Sequence, residues 1–249
     1  AESTLGPSRF RPPESEVTVS PPTKTKDRVV PVDAASLVIL RGQGGDAEVL
    51  MGRRRPRAAF LPNIYVFPGG RLDRQDAQAP PGVALRPEVE EKIKRRCRRS
   101  PARALALAAL RETFEETGLL LCGAPAHGPI ANDAPLWRAY GAAGLEPDLS
   151  RLDYIARAIT PPGSHRRFNT RFFITRGDDA HGQLLRDGEL LDLQWVSLAG
   201  AAKLLKVIDV TRLVLREAAI HLQATPQARA ERPATLMCYA NQRRRYIHE

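Results

Sequence analysis

The chain has 249 residues, of which 43% are hydrophobic, and this is enough to build one sizeable core with surface additions. No run approaches the roughly 20 apolar residues that a membrane-spanning helix needs, so we expect a soluble protein without a membrane partner. The three cysteines, Cys97, Cys122 and Cys238, are widely spaced and odd in number, a pattern that favours neither a disulfide framework nor a zinc site.

The formal net charge of +10 is concentrated in a few short clusters rather than spread along the chain. Aromatic residues of the kind that stack on bases are not interleaved with these clusters, so the charge does not favour nucleic acid as a partner. Attraction of small polyanionic substrates explains the same charge. The clusters are Arg53-Arg54-Arg55 with Arg57, Lys94-Arg95-Arg96 with Arg98-Arg99, Arg166-Arg167, and Arg243-Arg244-Arg245.

The first third of the chain predicts a disordered segment followed by a hairpin. Residues 1–26 are rich in proline, serine, threonine and charge, which is typical of disorder. Two apolar runs, residues 29–41 and 48–53, flank a glycine-rich turn and predict paired strands. A short strand over residues 64–67 then leads into Gly69 and Gly70, where the backbone can turn tightly and approach a neighbour closely.

The rest of the chain alternates helical and strand patterns, so we take residues 27–224 as one folded domain. Residues 87–99 have a helical charge pattern, and a second helix begins near Pro101, with Ser100 as its cap, and ends at Gly118. Residues 225–249 are interpreted as a mobile basic tail or a docking arm. Further strands are predicted over residues 119–122, 154–159, 170–175 and 190–196, and further helices over 198–205 and 210–222.

The most informative stretch is residues 111–118, near the end of the second predicted helix. At about 100° per residue, Glu112, Glu115 and Glu116 fall on one face, while Leu110 and Phe114 point away from it. Clustered carboxylates repel one another unless a cation lies between them, and hard divalent cations prefer oxygen ligands. The alternative is a solvated acidic face on which Arg111 and Glu115 form an ordinary ion pair.

Gly70, followed by residues 111–119, resembles the signature of the Nudix hydrolases, G-x5-E-x7-R-E-U-x-E-E-x-G-U, where U is a bulky apolar residue. The right half matches at every charged and glycine position, with Thr113 at the first U. The left half is stretched, because the family spacing would place the arginine at position 84 whereas it stands at 111. Asp76 keeps the first glutamate's spacing from Gly70, while Arg103 keeps its spacing from Arg111 but cannot replace a carboxylate.

The resemblance implies an α/β/α sandwich with a mixed sheet and with a helical insert, residues 77–103, before the signature helix. It also implies Mg²⁺ or Mn²⁺ as the cofactor, bound directly by Glu115 and Glu116, with Glu112 binding metal or orienting water. Arg111 would hold the glutamates in place by ion pairing, and Gly69 and Gly70 would shape the loop. The polar, proline-rich insert is predicted to be a lid or an interface element outside the core.

Two further sets of residues are candidates for catalysis and substrate binding. Glu189 precedes a predicted strand, where several family members carry an additional glutamate, and it is the candidate general base; the alternative is a solvated turn residue. Arg166, Arg167 and Arg171 could hold substrate phosphates, because planar guanidinium groups match phosphate oxygens. Their alternative is a set of solubilising charges on an edge strand, and His165 is a lone loop histidine of the kind that is seldom a base.

The substrate predicted by the resemblance is a nucleotide-derived diphosphate. The run Phe67-Pro68-Gly69-Gly70, the long insert and residues 160–173 resemble the coenzyme A diphosphatases of the mammalian nucleoside diphosphate-linked moiety 19 type. ADP-ribose, NADH and dinucleoside polyphosphates share the same bridge and remain alternatives, and a non-catalytic nucleotide- or RNA-binding module is a further one. The last residues, Ile247-His248-Glu249, are not a peroxisomal address, so we expect a cytoplasmic protein; a homodimer is left open.

Overall fold

The computed structural model describes residues 29–78, 84–95, 101–129 and 132–249, so the predictions for residues 1–26 and for Ser100 lie outside the described residues. Three short 3-10 turns supplement the strands and helices. The strands are β1 (Val32–Arg41), β2 (Glu48–Arg54), β3 (Tyr65–Val66), β4 (Gly69–Arg71), β5 (Gly123–Pro125), β6 (Leu145–Pro147), β7 (Asp153–Ile159), β8 (Phe168–Arg176), β9 (Leu190–Ser197), β10 (Thr235–Ala240) and β11 (Arg243–His248). The helices are α1 (Pro87–Lys94), α2 (Ala102–Thr117), α3 (Pro135–Ala142), α4 (Ala201–Leu204), α5 (Asp209–Gln223) and α6 (Pro226–Glu231).

A nine-stranded mixed sheet organises the described chain, with strands in the order β11-β10-β7-β8-β1-β2-β3. Strand β1 lies at its centre, parallel to β8 and antiparallel to β2. Strand β4 adds to β1, and β9 adds to β2. Strands β5 and β6 form a separate small sheet. Among the described residues, no helix is both long enough and apolar enough to cross a bilayer.

Alternation along the central strand sends buried side chains to both faces of the sheet. Leu37 and Ile39 pack with α2 in one apolar cluster, whereas Val38 and Leu40 pack with α5 in another. Successive strand residues point to opposite faces, so a continuous apolar run such as β1 needs a cover on each side. Helices on both faces supply that cover, and the predicted α/β/α sandwich with a mixed sheet is confirmed.

The strand predictions on either side of the signature helix agree with the structure at most positions. Strands β1 and β2 form the expected hairpin, with Leu40 opposite Val49. Residues 119–122 are the exception, because Leu120 makes only an isolated bridge to His181 and the next strand, β5, belongs to the small sheet. The helix predicted over residues 198–205 is also shorter, limited to α4.

The prediction of a basic tail over residues 225–249 is wrong. This segment forms α6 and then the hairpin β10–β11, which extends the main sheet because β10 pairs in parallel with β7. Leu236 and Met237 are buried there, while the three consecutive arginines of β11 remain exposed. The arginines dominate the local composition, but the short apolar run before them supplies a strand for the open edge of β7.

The prediction that the insert lies outside the core is also wrong. Val89 and Ile93 are one helical turn apart on α1, and both are buried in the apolar cluster beneath α2. Arg86 donates to the Asp153 carboxylate and to the Leu152 carbonyl oxygen, and Lys92 Nζ donates to the Arg229 carbonyl oxygen at 2.7 Å. Glu91 and Lys94 lie on the solvent face of the helix, whereas the apolar pair and the buried Lys92 anchor its other face.

Truncating the anchor of α1 therefore tests the role of the insert. We expect Ile93→Ala to lower the free energy of unfolding by about 2–5 kcal/mol, because it removes buried methyl groups and leaves a cavity. Glu91→Ala, on the exposed face of the same helix, should change it by less than about 0.5 kcal/mol. Denaturant unfolding of both variants measures the difference. Equally small effects in both would mean that the insert is a peripheral lid and not part of the core.

Candidate active site

The signature helix α2 holds the candidate residues because its other faces are fixed. Leu105, Leu107 and Leu110 are buried beneath the sheet. Thr113 is fully buried, and its hydroxyl donates to the Ala109 carbonyl oxygen at 2.7 Å, which satisfies the polar group within the helix. Gly118 ends the helix in the left-handed region at φ 78°, as its position in the sequence predicts. The carboxylates are thus presented from a rigid element.

Arg111 lies at the centre of an ion-pair cluster and is only 7% exposed. Its Nε and Nη2 donate to the two carboxylate oxygens of Asp76, at 2.8 and 3.1 Å. Its Nη1 donates to Glu112 Oε1 at 2.8 Å and to Glu115 Oε2 at 3.0 Å. Burial lowers the pKa of Arg111, but the hydrogen bonds and charges of Asp76 and Glu112 outweigh burial and raise it, so the guanidinium stays charged.

Asp76 takes the place beside Arg111 that the stretched signature left uncertain. The carboxylate is 5% exposed and also accepts the backbone N–H of Asp73 at 2.7 Å, closing a short turn that follows β4. It does not line the cleft described below. Its contacts therefore give Asp76 a positioning role towards Arg111 rather than a role in contact with substrate.

Two glycines on β4 allow the backbone to approach the carboxylates. Gly69 has a φ of 154°, and a Cβ there would lie 2.5 Å from the Ala35 carbonyl oxygen. Its N–H donates to Glu116 Oε2 at 2.9 Å. A Cβ at Gly70 would lie 2.4 Å from the carboxyl carbon of Glu112, so the missing side chain leaves the space that this carboxylate occupies.

A cleft of about 650 Å³ brings together three carboxylates from distant parts of the chain. Glu112 and Glu116 come from α2, and Glu189 precedes β9. Burial, with the negative charges of Glu112 and Glu189, raises the pKa of Glu116 to about 8 despite the Gly69 hydrogen bond. Burial also raises the pKa of Glu112, although Arg111 opposes that shift. Burial is the largest cause of both shifts, and the positive charges of Arg111 and Arg54 oppose it at Glu112 and Glu116, respectively.

This donor set fits a divalent cation in its chemistry. Within the described ranges, no group of three or more acidic, histidine or cysteine side chains converges on one point, because Glu112 and Glu115 are turned towards Arg111. Glu115 is 42% exposed at its side chain and does not line the cleft. Burial is the main cause of the raised pKa values of Glu112 and Glu116, and a cation beside them would favour their charged forms. Glu115 lies on the same helical face.

At its Phe168 end the cleft is lined by aromatic and apolar side chains together with two arginines. Val32, paired with Phe168, and Ser36, paired with Gly69, are four residues apart on β1, which is about 13 Å at roughly 3.3 Å per residue. Phe60 meets Phe168 edge to face, with ring centroids 5.2 Å apart. The cleft can therefore hold a charged group at one end and an apolar or aromatic group at the other.

The three arginines predicted to bind substrate are placed differently from one another. Arg166 is exposed and lines the cleft. Arg167 also lines it, but is 8% exposed and donates to the carbonyl oxygens of Thr160 and Val29. The prediction for Arg171 is wrong, because this side chain is 2% exposed, donates to Asp33 and does not line the cleft. Alternation along β8 directs the Arg171 side chain into the interior. The cluster of arginines in this part of the sequence does not indicate which of them are buried.

Arg54 and Phe60 are cleft residues that sequence reasoning did not single out. Arg54 ends β2, and its Nη2 lies 4.0 Å from Glu189 Oε1. It belongs to the arginine cluster at residues 53–57. The charge of this cluster is evident from the sequence, but its position beside the cleft is not. Phe60 follows in a loop without a periodic pattern, so the pairing of its ring with Phe168 could be seen only in three dimensions.

Comparison with a solved structure shows the family to which this fold and site belong. No protein-family model matches the sequence. The crystal structure of a Nudix hydrolase from Alicyclobacillus acidocaldarius is 30% identical, with a TM-score of 0.58 over 78% of this chain and 96% of that chain. The chain therefore belongs to the Nudix hydrolases, a family of enzymes.

Curated relatives agree with this assignment at lower coverage. A putative nudix hydrolase 7 from Caenorhabditis elegans is 29% identical over 59% of this chain and 46% of the relative. An acyl-coenzyme A diphosphatase from Gallus gallus is 29% identical over 57% of this chain and 54% of the relative. The chain thus spans about half the length of these two relatives.

The contacts of Gly69 and Gly70 predict different outcomes for two alanine substitutions. Gly70→Ala meets the end of a flexible side chain, so we expect a displaced Glu112, a smaller loss of stability than in Gly69→Ala and a divalent-cation affinity lowered at least about tenfold. Gly69→Ala meets backbone in a region that L residues rarely adopt, so it should destabilise the fold by more than about 1 kcal/mol. Unfolding curves and Mn²⁺ titration measure both effects, and unchanged Mn²⁺ affinity in Gly70→Ala would contradict this account of Glu112.

Proposed function

We propose that this chain hydrolyses the diphosphate bridge of a nucleoside diphosphate-linked compound with the help of Mg²⁺ or Mn²⁺. The observation that carries the proposal is that Glu112, Glu116 and Glu189 line the same cleft, with raised pKa values for the first two. Arg111 supports Glu112 from behind, held by Asp76. Such a set of carboxylates suits the cation that accompanies a diphosphate.

Glu112, Glu115 and Glu116 are the residues proposed to hold the cation. When bound there, it would neutralise charge on the diphosphate and lower the pKa of a water molecule. Arg111 positions Glu112 and Glu115 through its Nη1. The Gly69 N–H fixes Glu116 Oε2. These contacts restrict the rotamers of the glutamates before substrate binds, which lowers the cost of organising the site.

Glu189 is proposed to accept the proton of the attacking water. Its side chain lines the cleft and is 69% exposed, so it can be reached by water. Arg54, 4.0 Å away, provides a positive charge beside it. The negative charge of Glu189 in turn contributes to the raised pKa of Glu116, which places the two carboxylates within one electrostatic environment.

Coenzyme A or an acyl ester of it is the substrate proposed within this class. The diphosphatase from Gallus gallus supports this choice by name, and the aromatic residues of the cleft support it by chemistry, because the acyl chain of such an ester is apolar. About 13 Å separates the Phe168 end from Gly69, which allows one extended substrate to reach both ends.

A substrate screen tests the proposed activity. Coenzyme A, acetyl-coenzyme A, ADP-ribose, NADH and a dinucleoside polyphosphate are incubated with the full chain and Mg²⁺, and released phosphomonoesters are measured. We expect coenzyme A compounds to give the highest kcat/KM. A clear preference for ADP-ribose, NADH or a dinucleotide would contradict the proposed substrate but not the proposed reaction. Absence of hydrolysis across the screen would contradict the proposed function.

Removing single carboxylates tests the proposed cation site. Glu116→Gln and Glu115→Gln should each lower kcat at least about a hundredfold, because each loses a charged oxygen ligand at nearly constant volume. Glu91→Gln, an exposed glutamate on α1, is the matched control and should keep the parent activity. Both site variants should retain the parent's circular dichroism spectrum, and activity within threefold of the parent at saturating Mg²⁺ would rule out the assignment.

A further inference from the structure

A second, smaller cavity adjoins the mouth of the cleft. It has a volume of about 160 Å³ and shares Arg54 and Glu189 with the larger cleft. We name it the arginine annex, because three of its six lining residues are arginines. Its lining consists of Arg54, Arg55, Arg57, Ala58, Glu189 and Leu190.

The residues that line the annex carry more positive than negative charge. Three arginines and one carboxylate, that of Glu189, line it, and Glu189 Oε1 lies 4.0 Å from Arg54 Nη2. The Nε of Arg54 is buried and has no hydrogen-bond partner within the described chain. Arg57, by contrast, is exposed. A buried donor without a partner is costly, so an incoming acceptor would be favoured.

Arg55 has a different role from its two neighbours. Its Nη2 and Nε donate to the Gly188 carbonyl oxygen at 2.7 and 3.2 Å, which ties the arginine segment to the turn before Glu189. That contact fixes the wall shared by annex and cleft. An anion in the annex would therefore lie beside the proposed catalytic carboxylate without displacing it, and Arg54 and Arg57 would supply the donors.

We propose that the arginine annex binds a phosphomonoester group of the substrate, separate from the diphosphate that is cleaved. This inference rests on the proposed function, because it assigns a substrate group to the same site. Guanidinium groups match phosphate oxygens through paired N–H donors, and they remain charged at every physiological pH. A water molecule occupies about 30 Å³ in the liquid, so the annex has room for a tetrahedral oxyanion.

The annex assigns the recognition of a substrate phosphate to Arg57 rather than to Arg167 or Arg171. Arg167 donates to backbone carbonyl oxygens, and Arg171 is buried against Asp33. Both are therefore engaged in the fold, whereas Arg57 is exposed and lines an open cavity. Substrates with a phosphate on the ribose would be preferred over those without one, and Arg57 would determine the preference.

Binding of two nucleotides that lack a diphosphate tests the annex without any reaction. Adenosine 3′,5′-bisphosphate and adenosine 5′-monophosphate are titrated into the full chain by calorimetry, with saturating Mg²⁺ and about 0.1 M salt, where charges beyond about 10 Å are largely screened. We expect the bisphosphate to bind about tenfold to a hundredfold more tightly, because the extra group gains charge-assisted hydrogen bonds.

Variants of one residue and a matched control identify where that preference arises. Arg57→Gln should reduce the difference between the two ligands to less than about threefold, and Arg57→Lys should restore part of it because the charge returns without the planar fork. Arg138→Gln removes the same charge from an exposed position on α3 that lines neither cavity, and should leave the difference unchanged.

Two results would overturn the annex. One is equal binding of both nucleotides by the parent chain, and the other is an identical preference in Arg57→Gln and Arg138→Gln. Failure of the proposed hydrolysis is a separate outcome, because a bisphosphate preference that depends on Arg57 can be measured in a chain that cleaves none of the screened diphosphates.

Discussion

The buried positive charge of Arg111 is the constraint on which the site depends. A guanidinium taken out of water must be paired on several sides, and removing one partner of such a pair commonly costs about 3–5 kcal/mol. Asp76 pairs with it from the insert side, Glu112 and Glu115 pair from the same helix, and the Arg71 carbonyl oxygen completes the set at 3.1 Å. One side chain thereby joins the turn after β4 to the face that presents the carboxylates.

The same arrangement explains how repulsive carboxylates are kept close together. Arg111 compensates Glu112, but Glu116 is 4% exposed and receives only the Gly69 N–H, so burial and neighbouring charge raise its pKa. The fold stores this electrostatic cost in a rigid helix whose other faces are packed in the core. A cation bound at the proposed site would offset that cost.

The sequence predicted the parts of the fold and site that depend on local patterns. The spacing of Glu112 and Glu116, the stop at Gly118 and the apolar alternation of β1 are all local, and each agrees with the structure. The wrong predictions concern charged stretches of sequence in which some side chains or strands make tertiary contacts, as in α1, β10–β11 and Arg171. Long-range neighbours such as Phe60 with Phe168 leave no periodic signal in either segment.

A crystal structure of the full chain with Mn²⁺ and a diphosphate product tests the central claim most directly. The account predicts an anomalous Mn²⁺ peak at the Gly69 end of the cleft, about 2.1 Å from carboxylate oxygens of Glu112 and Glu116, with Arg111 still paired to Asp76. A well-occupied Mn²⁺ peak elsewhere, or a product bound in the cleft with both carboxylates still free of metal, would contradict it.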